Sequence, residues 1–408
     1  MTSEERREAR YQRRKAAREL KKSEKLKFVD NYEEVFSYGN LYKAYRQCRK
    51  GVRWKASTVR YITNAPLNVY DTYRRLMAGR YNTPGFYEFD LFERGKKRHI
   101  RSTVISERVV QRCLCDNALV PALERIFIYD NGASMKRKGY TFAINRLTEH
   151  LRQHYRKHGQ EGYILLFDFS KFFDNVSHQL VKGMISSEIS DERIRRISDI
   201  FIDAFGPIGL GLGSQVSQVL ALASGNRLDH VIKELYAIKK YGRYMDDGYL
   251  ISHSKEYLRA CLRAIKKVCE ELKITLNEKK TQIVKLSHGF TWLQCRFFIT
   301  KTGKVIKKMC KNSIAIERRK LKKLKKKYDE GRREFSDIFD SFVSWGSYAS
   351  NFNSYYTIKN MVELFIELFH DSIIKEGKLR LHSKKKKHTF VKIYNWEVCK
   401  NGLYQSAA

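Results

Sequence analysis

The sequence predicts an α+β fold, a small antiparallel sheet flanked by helices. Three observations predict it. The stretch Tyr241-Gly242-Arg243-Tyr244-Met245-Asp246-Asp247-Gly248-Tyr249-Leu250 reads as a strand, a tight turn and a returning strand, with two adjacent carboxylates between apolar-aromatic runs. Upstream, Ile164-Leu165-Leu166-Phe167-Asp168 is a short apolar run ending in an acid, as a buried central strand with a carboxylate at its tip would be written. Around both lie stretches of helical spacing, among them Phe142 to His158, Val219 to Lys239 and Tyr257 to Leu272.

Aspartates at a hairpin tip are ordinarily turn formers, and the upstream strand is what changes that reading. If the strand tip and the turn lie side by side, Asp168, Asp246 and Asp247 repel one another unless cations sit among them. Hard oxygen ligands with open positions suit Mg²⁺, with Mn²⁺ as a substitute. Two such ions about 3.5–4 Å apart can activate an attacking hydroxyl and stabilise a leaving oxygen in an in-line phosphoryl displacement. The chemistry suggested is nucleotidyl transfer.

At 408 residues the chain can bury more than one core. A hydrophobic share of 42% and an aromatic share of 13% exclude a mainly disordered protein. The formal charge of +37 is spread along the chain, and a polyanion is the leading partner because neutralised phosphates release counterions. An anionic membrane competes poorly, since no apolar run approaches a membrane span and the N-terminus lacks a signal-peptide segment. A cytoplasmic protein is expected. Eight irregularly placed cysteines argue for a reducing compartment, and Cys113 and Cys115 complete no zinc pattern. The eleven histidines are scattered, and no nucleophile-base arrangement supports hydrolase chemistry.

Taken in order, the chain starts with a charged arm, Thr2 to Lys27, either a solvated helix or an RNA contact. From Phe28 to about Ala78 aromatic and basic residues alternate, which suits helices whose outer faces meet phosphate. Tyr87 to Phe92 alternate as in a strand, and Glu93-Arg94-Gly95-Lys96-Lys97-Arg98 supplies a turn and cations, solvated or holding a triphosphate. Ile105 to Ile128 reads as an amphipathic helix continuing past Pro121, followed by a loop whose Lys136, Arg137 and Lys138 are candidate backbone-phosphate contacts. Ser177 is a good N-cap for a helix from His178 to Ile185, and Phe172 and Phe173 before it have the ordinary reading of core residues.

Gly209-Leu210-Gly211-Leu212-Gly213-Ser214-Gln215-Val216-Ser217-Gln218 has no P-loop spacing, and is either a plain hinge or a place where backbone approaches substrate near Ser217 and Gln218. Phe290 to Phe297 and Lys304 to Ile306 read as strands. Ile316 to Tyr328 puts Leu321, Leu324 and Tyr328 on one face and cations such as Arg318 and Arg319 elsewhere, a helix able to present charge to a duplex. Phe335 to Tyr348 and Ile358 to His370 read as a compact bundle, and Lys384 to Lys387 as a tail element or another RNA contact.

With these residues laid out, the chain resembles a prokaryotic reverse transcriptase, of the broad group holding group II intron, retron, diversity-generating and defence-associated enzymes. Tyr244-Met245-Asp246-Asp247 and the run Phe167-Asp168-Phe169-Ser170-Lys171-Phe172-Phe173-Asp174 match the two metal-binding motifs in order and approximate separation, and the likeness extends from roughly Tyr87 to Tyr356. It implies a right-hand polymerase: residues 1–80 a basic helical extension, 81–160 fingers, 161–288 palm with a finger-palm loop at 205–220, 289–308 a primer-grip hairpin, 309–375 a helical thumb and 376–408 a basic tail.

The resemblance implies that Asp168, Asp246 and Asp247 are the catalytic carboxylates and that Phe169 lends a metal its backbone carbonyl. Phe173 matches the aromatic gate against a 2′-hydroxyl, Lys96 and Arg98 the finger cations at the triphosphate, and Lys280 the basic residue that assists pyrophosphate departure. Ser217 and Gln218 would also face the nucleotide, while Tyr244, Met245, Trp292 and Leu293 would meet primer and template alongside the basic residues already named. His99 stands where many relatives have proline, and Gln294 where a glycine is frequent. Ser344-Trp345-Gly346 and Asn353-Ser354 resemble the thumb of this group. Leu212 to Gln218 replaces the common Gln-Gly-x-x-x-Ser-Pro and is similar to diversity-generating and some defence or abortive-infection enzymes.

The implied function is an RNA-directed DNA polymerase copying a structured RNA into cDNA in bacterial anti-phage defence. Its partners would be template RNA, a DNA or RNA primer and dNTPs, with an accessory protein or a second copy of the chain as further candidates. An error-prone enzyme of a diversity-generating retroelement, an idle nucleic-acid-binding scaffold, and an RNA-dependent RNA polymerase, disfavoured by the bulk of Phe173, are the alternatives.

Overall fold

Apolar residues at helical spacing build most of the chain, and short apolar runs build its sheets. A computed structural model describes residues 5, 8–10, 12–13, 16–17, 20, 24, 28–83, 85–93, 96–377, 381, 389–401 and 403, without the side chains of Glu93 and Lys96. Most of the Thr2 to Lys27 arm and all of the Lys384 to Lys387 cluster therefore lie outside the described residues. Two units make up the chain, one of residues 1–147 and 165–282, the other of residues 148–164 and 283–408. Among the described residues no helix is long and apolar enough to cross a membrane.

After a single helical turn at Tyr32–Val35, the first unit has helices α1 (Tyr38–Cys48), α2 (Ala56–Thr63) and α3 (Ala65–Met77). They bury Leu41, Tyr45, Tyr61, Val69 and Leu76 and leave most of their cations in solvent. Strands β1 (Phe86–Glu93) and β2 (Lys96–Thr103) then pair antiparallel over their whole length. Helix α4 (Ile105–Leu114) follows; α5 (Tyr140–His158) and strand β3 (Tyr163–Phe167) come next in the chain, residues 148–164 of them belonging to the second unit. As the sequence predicts, the Ser177 hydroxyl caps α6 (His178–Glu188), accepting the Leu180 N–H at 3.4 Å. Helix α7 (Glu192–Asp203) is capped in turn by Asp191.

The helix expected from Val219 to Lys239 is broken. Helix α8 (Gln215–Ser224) stops at Gly225, α9 (Asn226–His230) follows, and one π-turn spans Val231–Leu235. Gly225 sits where a Cβ would lie 2.7 Å from the guanidinium carbon of Arg243, so only glycine fits. Strands β4 (Tyr241–Tyr244) and β5 (Asp247–Ser252) form the acidic hairpin, and β5 lies between β4 and β3. Helix α10 (Lys255–Glu271) closes the series, capped by Ser254, with Leu258, Cys261, Ile265 and Val268 buried.

In the second unit β6 (Phe290–Trp292), β7 (Cys295–Ile299) and β8 (Val305–Met309) form an antiparallel sheet in consecutive order. Helices α11 (Lys311–Asp329), α12 (Phe335–Ala349), α13 (Tyr355–Lys375) and α14 (Thr389–Lys400) follow. The bundle core is aromatic: Phe342 and Phe365 stack at 4.1 Å, and Gly346 leaves space for the Phe390 ring, which a Cβ would meet at 2.2 Å. Helix α14 lies in the segment read from sequence as a tail. Its Phe390, Ile393, Tyr394 and Val398 form the buried stripe that folds it. All eight cysteines are free.

Candidate active site

The four residues before Asp168, Ile164 to Phe167, are buried, and the acid itself is only 3% exposed. In the β4–β5 hairpin Tyr244 pairs with Asp247, so the turn is just Met245 and Asp246. Met245 adopts φ 55°, a left-handed conformation unusual for a residue with a side chain. Backbone bonds lace the strand tip to this turn: the Phe169 N–H donates to the Asp246 carbonyl at 3.2 Å. On the other side Ser170 N–H donates to Thr275 O at 2.7 Å, and Asn277 N–H to Asp168 O at 2.8 Å. Gly248 permits the approach of β5, since a Cβ there would stand 2.1 Å from the Phe167 ring.

The three acids therefore meet. Burial raises the pKa of Asp246, helped by the Asp168 charge. Asp247 is pushed up to about 7 by burial first, then by Asp246 and Asp168, and it shares a hydrogen bond with Asp168. Lys280 supplies a counter-charge: its Nζ donates to Asp168 Oδ2 at 2.6 Å, while Asn277 Nδ2 donates to Oδ1 at 3.2 Å. Burial works to lower the Lys280 pKa, but the bond to Asp168 together with the charges of Asp168, Asp247 and Asp246 outweighs it and the net shift is upward.

Among the described residues no group of three or more His, Cys, Asp or Glu side chains forms a ready-made metal cage. The donor chemistry nonetheless fits a divalent cation. Burial first and the neighbouring carboxylates second leave Asp247 holding its proton up to about neutral pH, a site short of positive charge, and a single ammonium meets only part of that need.

The turn is held from behind by a buried network that the sequence reading did not find. Arg243 and Asp229 are both 0% exposed, with Arg243 Nη2 to Asp229 Oδ2 at 2.7 Å and Nε to Oδ1 at 2.8 Å. Tyr241 donates its hydroxyl to Asp229 Oδ1 at 2.5 Å. The remaining donors reach the Leu222 carbonyl at 3.0 Å and the Met245 carbonyl, inside the turn, at 2.8 Å. Burial disfavours the Arg243 charge, but Asp229 more than compensates and the guanidinium stays protonated. A charge between Gly242 and Tyr244 in an otherwise apolar strand was the available signal.

The residues predicted to meet a nucleotide are placed unevenly. Phe173 is half-buried at the start of a single 3-10 turn, Phe173–Asn175, with its ring against Phe172. Lys280 touches the acids, as described. Arg98 is exposed on β2, opposite Leu91, whereas the side chain of Lys96 lies outside the described residues. Neighbouring finger cations are matched by acids: Lys97 and His99 contact Asp90, holding its carboxyl below the usual range, and Arg101 pairs with Glu88 at 3.0 Å. Gln218 is exposed on α8, but Ser217 is 1% exposed and its buried hydroxyl has no hydrogen-bond partner.

Of the predicted primer and template contacts, Tyr244 and Met245 flank the acids and are half-buried. Lys136 and Arg137 are exposed, while Lys138 turns inward, donating to the Tyr129 carbonyl at 2.8 Å and lying over the Tyr129 and Phe142 rings. In the second unit Trp292 is buried at the end of β6, and Leu293 and Gln294 form a two-residue turn with φ 46° and 59°. Arg318 and Arg319 are exposed on α11, which buries only Glu317 and Leu321.

Residues 95–297 match the family model described as reverse transcriptase (RNA-dependent DNA polymerase). A reverse transcriptase domain is thus present, and the mixed helical and antiparallel-sheet architecture agrees with it. Among solved structures, the chain is similar to telomerase from Candida albicans in complex with a TWJ fragment of telomeric RNA, at 13% identity and a TM-score of 0.46, over 77% of this chain and 57% of that one. It is also similar to apo telomerase from Candida tropicalis truncated from its C-terminal domain, at 12% identity and a TM-score of 0.42, over 60% of each chain. The chain thus spans less than two thirds of either relative. No curated protein matches the sequence.

Proposed function

We propose that the chain is an RNA-directed DNA polymerase that extends a primer 3′ end by copying a structured RNA into cDNA from dNTPs. The observation that carries this reading is the meeting of Asp168, Asp246 and Asp247 at one strand tip and one turn, inside the region that matches reverse transcriptases. In the reaction the primer 3′ oxygen bonds to the α-phosphorus as the bond to pyrophosphate breaks. Asp168, Asp246, Asp247 and the Phe169 carbonyl would hold two Mg²⁺ ions, which when bound supply the charge that activates the hydroxyl and offsets the leaving oxygen. Lys280, protonated at neutral pH, sits beside Asp168 to meet the negative charge of the departing pyrophosphate. In this reading Phe173 would meet the sugar, Lys96 and Arg98 would be the triphosphate ligands, and Lys136, Arg137, Arg318 and Arg319, which are exposed, would take nucleic-acid phosphates.

The setting we favour is bacterial anti-phage defence, with a dedicated RNA as template. The loop Leu212 to Gln218, which lacks the Ser-Pro ending of many relatives, supports it, but supports error-prone copying in a diversity-generating retroelement as well. Neighbouring genes separate the two: a defence island favours the first, and a template repeat, a variable repeat and an accessory protein favour the second.

The test is cDNA synthesis by the purified protein with its co-purified RNA, dNTPs and Mg²⁺. The parent makes cDNA, and D246A/D247A makes none while retaining RNA. Synthesis by the double variant overturns the assignment of the acids. A parent that makes none, joined to a variant with an intact cellular phenotype, marks an idle scaffold.

A further inference from the structure

The glycine loop between α7 and α8 is tied on both sides. On one, the Leu210 N–H donates to the Phe173 carbonyl at 2.7 Å and the Gly209 N–H to the Val176 carbonyl at 2.9 Å. On the other, the Arg101 N–H of β2 donates to the Leu212 carbonyl at 3.2 Å. Neither contact has slack. Gly209, at φ 84°, would place a Cβ 2.5 Å from the Asp174 carbonyl oxygen, and Gly213, at φ 116°, 2.8 Å from the Arg101 carbonyl oxygen.

Phe173 sits in a three-residue turn with no strand or long helix to hold it, so its height depends on these pins. One side chain fixes the loop in turn. His178, only 8% exposed, places Nε2 2.7 Å from the Gly209 carbonyl and Nδ1 3.4 Å from Asp203 Oδ1. A carbonyl only accepts, so the Nε2 proton is donated to it. Lys182 holds Asp203 at 2.7 Å.

We propose that His178, acting through the Gly209 carbonyl, is the positioning residue that sets the Phe173 backbone and thereby the choice between deoxyribose and ribose. The inference rests on Phe173 meeting the incoming sugar. A 2′-hydroxyl differs from hydrogen by one atom, so a displacement of well under a bond length at the gate changes the selection.

The test compares kcat/KM for a dNTP and the matching NTP in the full chain with its bound RNA. H178Q can bring an amide N–H to the Gly209 carbonyl, whereas the shorter H178N cannot. H178N is expected to lower the dNTP/NTP ratio by about tenfold, chiefly through the KM for the NTP, with kcat on dNTP and the Mg²⁺ requirement close to the parent's. H178Q is expected to restore the ratio. Equal ratios in the two variants, or equal losses on both nucleotides, overturn the proposal while F173A still lowers the ratio. If F173A itself leaves the ratio unchanged, the gate reading fails first.

Discussion

The turn Met245-Asp246 in the first unit and the turn Leu293-Gln294 in the second both join antiparallel strands through two residues, and both put side chains where glycine is usual. They are held differently. Arg243 grips the first through the Met245 carbonyl, and that guanidinium is anchored to the Leu222 carbonyl and to Asp229, which Tyr241 holds in turn, with no access to water. The second has left-handed φ at both central residues, the stacked pair Phe290 and Phe297 behind it at 5.4 Å, and for the Gln294 side chain, among the described residues, a long contact of 3.5 Å from the Ser313 hydroxyl. A turn that must present carboxylates at a defined place is clamped by tertiary structure. A turn with no carboxylate to present is left to local geometry.

Breaking the clamp should have the largest effect. Arg243→Ala leaves the Asp229 carboxylate buried without its ion pair, at a cost of about 3–5 kcal/mol, and equilibrium urea unfolding should read that loss. An unchanged midpoint would mean that the network is incidental.

The next effect is set by pH. Folded Asp247 keeps its proton up to about pH 7, whereas an unfolded aspartate loses it near pH 4. The folded state thus binds more protons between those values, and the stability of the metal-free protein falls as pH rises through that window. In EDTA at pH 8, Asp247→Asn should melt above the parent by roughly 2–8 °C; near pH 4 the two should coincide. Mg²⁺ should raise the parent's melting temperature at pH 8 and the variant's much less. A variant that melts below the parent at pH 8 would remove the repulsion argument.

Smaller effects belong to the second turn. Replacing Leu293-Gln294 by Asn-Gly suits a turn with positive φ at both central positions and should add about 0.5–2 kcal/mol of stability by thermal melting. Smallest of all, Gln294→Ala removes a contact at the edge of hydrogen-bond range and should stay within about 0.5 kcal/mol. A loss of several kcal/mol from either change would show that this turn, too, is clamped.

The acids, their two strands, the Ser177 cap and the finger hairpin were legible because each is written locally, in alternation, an apolar run or a capping residue. The pairing of Arg243 with Asp229 was not, because the partners stand fourteen positions apart in a strand and a helix whose separation the sequence obscured. Gly225, where the long helix expected after Val219 stops, lies against the same pair, with the guanidinium in the space of a Cβ at that residue. The cations around the predicted finger pair Lys96 and Arg98 gave no sign of being matched until the register set Glu88 across from Arg101 and Asp90 across from His99, with Lys97 also contacting Asp90. Ser217 looked like a ligand group because nothing in its neighbours tells which side of α8 is covered.

Gly248 has a consequence for anyone altering this protein. The gap between the two acid-bearing strands is set by a missing methyl group, because the Phe167 ring fills the volume that alanine would need. Gly248→Ala would act as a wedge driven under the working face, parting aspartates without touching one of them. Randomised libraries should leave this position alone.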